Sequence, residues 1–147
     1  MTDLIILLLL TVLLAWCADH MSWGPVRAGT RHRLVLGSVL ITVLMAGFAG
    51  LRVRCNDTGA YRHGYELITS GSLDGMDLSV GSNPLFNLIN YCLKMNDVST
   101  QNYLMFWAVV TVAGYITFVH RHSVDYPLTI FLLFTTGCYT FAFAGIK

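Results

Sequence analysis

Charge is scarce in this sequence. Of its 147 residues only 12% are Asp, Glu, Lys or Arg, about half the share carried by an ordinary soluble domain. With 55% hydrophobic residues, the chain is better matched to lipid than to water. Neither sign of charge dominates, since nine Lys and Arg stand against eight Asp and Glu. That balance leaves no basic face for nucleic acid and no charged tail, so no nucleic-acid partner is expected. Metal-ligand patterns are missing too. The cysteines Cys17, Cys55, Cys92 and Cys138 include no C-x-x-C pair, and His120 and His122 are two apart and cannot share a helix face, so no metal and no cofactor is expected. Free thiols are the simpler reading, with a Cys55–Cys92 disulfide open in an oxidising compartment. No internal repeat or low-complexity tract is present.

What the chain has instead is apolar length. The runs Leu4 to Ala18, Leu34 to Leu51, Tyr103 to Val119 and Pro127 to Ile146 are each about 15 to 20 residues, enough to cross a bilayer as helices. The first does not read as a cleaved signal peptide, because Asp3 stands where a basic start belongs and Trp16 crowds the expected cleavage region. The fold class that follows is all-α: a polytopic helical membrane protein with about four transmembrane helices, residues 1–147 forming one integral membrane domain. Arg27, Arg31 and Arg33 fall between the first two runs and Arg121 between the last two. The positive-inside rule therefore puts those links in the cytoplasm and residues 52–102 outside as an external loop.

That loop carries two helical signatures. Tyr61, Tyr65 and Ile68 share a face after an N-cap residue, Asp57, and a second short helix is expected from Asn83 with Pro84 in its first turn. Leu85, Leu88, Ile89 and Cys92 line one side of the second helix, a stripe suited to the membrane surface or to packing on the spans. Between the two, residues 69–82 are rich in glycine and serine and read as a loop.

Charge gathers in "RVRCNDTGAYRHGYE", residues 52–66. One reading is a solvated collar, in which Arg52 and Arg54 snorkel at the end of the second span and Arg62 and Glu66 form an exposed i to i+4 pair. The other is an anion site, with arginines forking onto phosphate while Asp57 and Tyr61 orient or deprotonate a hydroxyl.

"FAGLRVRCNDTGAYRHGYE" resembles the signature of the EpsG family, the Wzy-type bacterial polysaccharide polymerases, with Arg52, Asn56, Asp57 and Tyr61 at matching positions. The likeness continues through "NPLFNLINYCLKMNDVSTQNYLMFWAVVTVAGYITFVHRHS" and "DYPLTIFLLFTTGCYTFAFAGIK". Two positions depart from the family pattern: Cys55 replaces a small residue, and Lys147 replaces an arginine, keeping the charge but losing the planar fork. The resemblance implies the N-terminal part of a longer multi-pass protein of the bacterial cytoplasmic (inner) membrane. It also implies an inverting glycosyl transfer, with no cofactor, that joins oligosaccharide units carried on undecaprenyl pyrophosphate into exopolysaccharide, capsule or O-antigen. On that footing Asp57 and Arg52 are the catalytic candidates, and Arg54, Tyr61 and Lys147 the candidates for binding lipid pyrophosphate or sugar. The implied partners are the undecaprenyl-pyrophosphate-linked oligosaccharide, the lipid bilayer and other polysaccharide assembly proteins. The alternative is a non-enzymatic small membrane protein or scaffold subunit of an envelope assembly. A transporter fits less well, because the span centres lack Asp, Glu, Lys and Arg and show no evident pair of broken helices.

Overall fold

The computed structural model describes residues 2–20, 28–51, 58–68 and 83–140, with side chains from Val35 onward in the second segment and from Gly59 in the third. These residues are helical: α1 (Thr2–His20), α2 (Ala28–Leu51), α3 (Thr58–Leu67), α4 (Pro84–Met95), α5 (Thr100–His122) and α6 (Tyr126–Thr135). No strand occurs among them.

The helix ends follow local chemistry. The Ser99 side chain accepts from the Asn102 N–H at the start of α5, and the Asp125 carboxylate accepts from the Leu128 N–H at the start of α6, where Pro127 sits in the first turn. Both satisfy donors that a helix start leaves without partners. His120, Arg121 and His122 close α5, where cationic groups complement the negative end of the helix dipole.

α2 is the centre of the bundle, packing most extensively on α5 and also on α1, while α6 lies against α1 and α5. The shared core contains Leu7, Ala15, Ile41, Met45, Ala46, Val112, Ile116, Ile130, Phe134 and Tyr139. Yet the outside is apolar too. Ile5, Ile6, Leu9 and Leu13 of α1, Leu36, Val39 and Val43 of α2, and Val109, Val110 and Phe118 of α5 are all exposed. Helices apolar all round belong in lipid rather than in water. α1 and α5 are long and apolar enough to cross a membrane, whereas the other two apolar helical stretches, Val35–Leu51 and Tyr126–Thr135, are shorter.

The last apolar run is not one continuous helix. α6 ends at Thr135, Thr136 forms a turn, Gly137 takes φ 78°, and helical backbone resumes at residues 138–140. Only glycine adopts that left-handed conformation without penalty. The interruption is held on both sides: Thr136 Oγ1 donates to the Leu132 carbonyl at 2.6 Å and Thr140 Oγ1 to the Gly137 carbonyl at 2.9 Å. Beyond it, the buried Tyr139 hydroxyl donates to the Met45 carbonyl of α2 at 2.7 Å. A broken helix, absent from the sequence expectation, is therefore present.

The second loop helix begins where the sequence places it, after Asn83 and with Pro84 in its first turn. Asn83 precedes α4 in a left-handed conformation (φ 55°) and makes no side-chain cap. Of the expected stripe, Leu85, Leu88 and Cys92 are exposed and Ile89 is half-buried, while Asn90 is the buried residue of this helix. Cys92 is a free thiol.

Candidate functional site

At the Thr100 end of α5, polar and aromatic side chains from α3, α4 and α5 converge. α3 is fixed there by Tyr65, which is 2% exposed. Its ring stacks on that of Tyr103 with centroids 4.1 Å apart and planes 13° from parallel. Its hydroxyl donates to the Val98 carbonyl at 2.8 Å, and the Lys94 ammonium lies 5.0 Å from its ring centroid, in range for a cation–π contact. Burial raises the Tyr65 hydroxyl pKa above its ordinary value of 10, and the Asp97 carboxylate adds to the shift.

α4 joins the same assembly through Asn90 and Phe86, one turn apart. The Trp107 indole N–H donates to Asn90 Oδ1 at 3.0 Å; because an indole N–H can only donate, this bond also sets which way the amide faces. The Phe86 ring lies 4.8 Å from the Trp107 ring, centroid to centroid. α2 is tied in by Gln101, whose amide donates to the Gly50 carbonyl at 2.6 Å.

Of the residues singled out in the sequence, Tyr61 lies at the edge of this assembly, half-buried, with its ring edge-on to Phe86 at 6.5 Å. Arg52, Arg54, Asp57 and Lys147 lie outside the described residues. Residues 52–57 nevertheless join two elements whose positions are known, Leu51 at the end of α2 and Thr58 at the start of α3. Glu66, spaced to pair with Arg62, accepts from Thr100 Oγ1 of α5 at 3.4 Å.

Sequence reasoning picked out Tyr61 and the face it shares with Tyr65, but missed Asn90, Lys94, Tyr103 and Trp107. A usable signal existed for Asn90 and Trp107: an amide one turn from a phenylalanine on an amphipathic helix, and an indole in the outer third of a span, each need a polar partner once buried.

A second polar cluster lies at the opposite end of α5. Ser38 Oγ is 3.1 Å from His120 Nδ1 and 2.9 Å from the Tyr126 hydroxyl, joining α2, α5 and α6. With a single proton, Ser38 Oγ can donate in at most one of these bonds. Beside it, Trp16, Asp19 and His20 of α1 face Asp125 and Leu128 across an open groove. Among the described residues, no group of three His, Cys, Asp or Glu side chains is placed to hold a metal ion.

A bundle apolar on its outside, with polar groups collected at its two ends, defines a helical membrane protein. The EpsG family model matches residues 35–147, and the chain belongs to the EpsG family. That membership makes it a polysaccharide-related membrane protein. No curated protein and no solved structure matches it.

Proposed function

We propose that the protein is a polymerase of lipid-linked saccharides, joining oligosaccharide units on undecaprenyl pyrophosphate at the outer face of the cytoplasmic membrane. The observation that carries this reading is the family match over residues 35–147, which includes the whole stretch from Arg52 to Tyr61. In the reaction, the accepting sugar hydroxyl attacks the anomeric carbon from the face opposite the carrier. The bond from that carbon to the pyrophosphate oxygen breaks, and the carrier leaves as lipid pyrophosphate. Negative charge grows on the leaving group, so Arg52 and Lys147 are assigned to neutralise it. Asp57 takes the proton of the attacking hydroxyl, and Arg54 and Tyr61 hold phosphate or sugar.

The docking of α3 supports this placement. Tyr65 fixes α3 to α5 and Gln101 fixes the end of α2 to the same helix, so the two helices that flank Arg52, Arg54 and Asp57 in the sequence are both held on α5. Anchored supports are what a reacting constellation requires, because small misplacements lose rate steeply.

The test is complementation of a strain lacking its own polymerase, with Arg52→Lys, Asp57→Asn, Arg62→Gln and Glu66→Gln introduced singly and polymer length measured at matched membrane levels. Arg52→Lys keeps charge and stem but removes the bidentate fork, and Asp57→Asn keeps a competent helix cap. Short or absent polymer from these two, with wild-type length from the other two, is the expected pattern. Wild-type length from all four returns the stretch to a solvated collar and removes the site assignment.

A further inference from the structure

The outward stripe of α4 lies on a helix whose inner side reaches deep along α5. Leu85 is 70% exposed, Leu88 46% and Met95 57%, and exposed Cys92 falls between the last two. Their spacings of three, four and three make a single uncharged line along the helix. Meanwhile the polar Asn90 points inward to Trp107. For a helix in water this is the wrong way round.

The depth of α4 explains it. Gln101 bonds the Gly50 carbonyl, so the start of α5 is level with the end of the apolar run of α2. Trp107 lies six residues further along α5, about 9 Å beneath that level at the rise of an α-helix. Phe86 and Asn90 both reach Trp107. Aromatic contacts also link the two apolar surfaces: Phe106, exposed beside Val109 and Val110, packs edge-on against Trp107 at 5.5 Å, and half-buried Trp107 packs on Phe86 of α4. Lys94, the one charged residue of α4, stays off the stripe with its ammonium at Tyr65, as a snorkelling lysine does.

We infer that α4 is a membrane-immersed helix, laying Leu85, Leu88, Cys92 and Met95 against the acyl chains of the leaflet at the Thr100 end of α5 while Phe86 and Asn90 face protein. The loop thereby holds the surface of the candidate site at the lipid boundary, where a lipid-linked substrate would present its head. The inference rests on α5 spanning the bilayer and on membership of a polysaccharide-related membrane family, not on the polymerase chemistry.

The experiment places one environment-sensitive thiol fluorophore at a time on the purified protein in nanodiscs whose phosphatidylcholine carries bromine on its acyl chains. With Cys17, Cys55 and Cys138 changed to Ser, the probe sits on native Cys92. Further versions, with Cys92→Ser added, carry it at Leu88→Cys, at Val110→Cys on α5, and at Ala60→Cys on α3 as the aqueous control. Quenching of the Cys92 and Leu88 probes comparable to that at Val110, with little at Ala60, is the expected result. Strong quenching at Val110 with none at Cys92 or Leu88 overturns the inference while leaving α5 as a span. No quenching at Val110 overturns it together with the spanning of α5. Oxidative dimerisation through Cys92, with its probe protected from bromolipid, assigns the stripe to a second copy and overturns it as well.

Discussion

Asn90 and Tyr65 show how little a single residue reveals in sequence about its partner. The periodicity of residues 61–68 predicts the buried face of α3 correctly, because side-chain repeat is a local property. That Tyr65 meets Tyr103 and the Val98 carbonyl depends on contacts more than thirty residues away, for which local pattern carries no information. The same holds for Asn90, which is 5% exposed and bonds both the Trp107 indole and Tyr103. Trp107→Phe keeps an aromatic ring but strands the amide oxygen, and should cost about 1–3 kcal/mol. Adding Asn90→Leu removes the stranded oxygen but also the amide's bond to buried Tyr103, so the double variant should recover only part of that loss in a denaturation series in detergent.

Tyr65 supplies a pH dependence at the same scale. Its folded pKa is raised above 10, so the folded state binds the phenolic proton more tightly than the unfolded chain does. The stabilisation is therefore whole below pH 10 and is lost as pH rises through the raised folded pKa. Tyrosinate absorbance should lag free tyrosine on titration, with α3 released as the proton leaves. Tyr65→Phe should remove that part of the transition and cost about 1 kcal/mol at neutral pH through the lost bond to Val98. An unchanged alkaline transition in Tyr65→Phe would show that this hydroxyl does not hold α3.

At the scale of elements, the apolar runs locate the helices well but miss how closely they approach and where one breaks. The run from Pro127 to Ile146 looks continuous because Thr136 and Gly137 barely disturb its hydropathy, yet the left-handed φ of Gly137 ends α6 halfway. Glycine positions within α2 are likewise unequal. A Cβ on Gly37 would come within 2.5 Å of the Ala18 Cβ, whereas at Gly47 of α2 and Gly114 of α5 nothing lies within 4 Å. An alanine Cβ cannot swing aside, so Gly37→Ala must push α1 from α2 and should destabilise by about 1–3 kcal/mol. Gly47→Ala and Gly114→Ala should instead be neutral or stabilising, by up to about 1 kcal/mol from helix propensity. Thermal unfolding of the three variants in one detergent checks the opposite signs. Equal midpoints would mean that α1 is not seated on α2 through Gly37.

For the molecule as a whole, scarcity of charge in the sequence identified the solvent, and the structure shows the consequence in which surfaces are apolar. The membrane class was therefore legible early. The candidate site was legible only as a stretch of sequence, since what anchors it comes from three separate helices. The two ends of the bundle now give the orientation a direct test. Ala60 is exposed on α3, which docks at the Thr100 end of α5, and His122 is exposed at the other end of α5. A helix of this length separates them by about 30 Å, the thickness of a hydrocarbon core. By the positive-inside rule, arginines at 27, 31, 33 and 121 lead to the prediction that the His122 end faces the cytoplasm. In a background with all four cysteines changed to Ser, an impermeant thiol reagent should label Ala60→Cys in intact cells, and His122→Cys only after permeabilisation. The reverse pattern would invert the protein, placing the Arg52 to Tyr61 stretch in the cytoplasm, where exported lipid-linked saccharide cannot reach it. Labelling of both sites in intact cells would show that α5 does not cross the membrane at all.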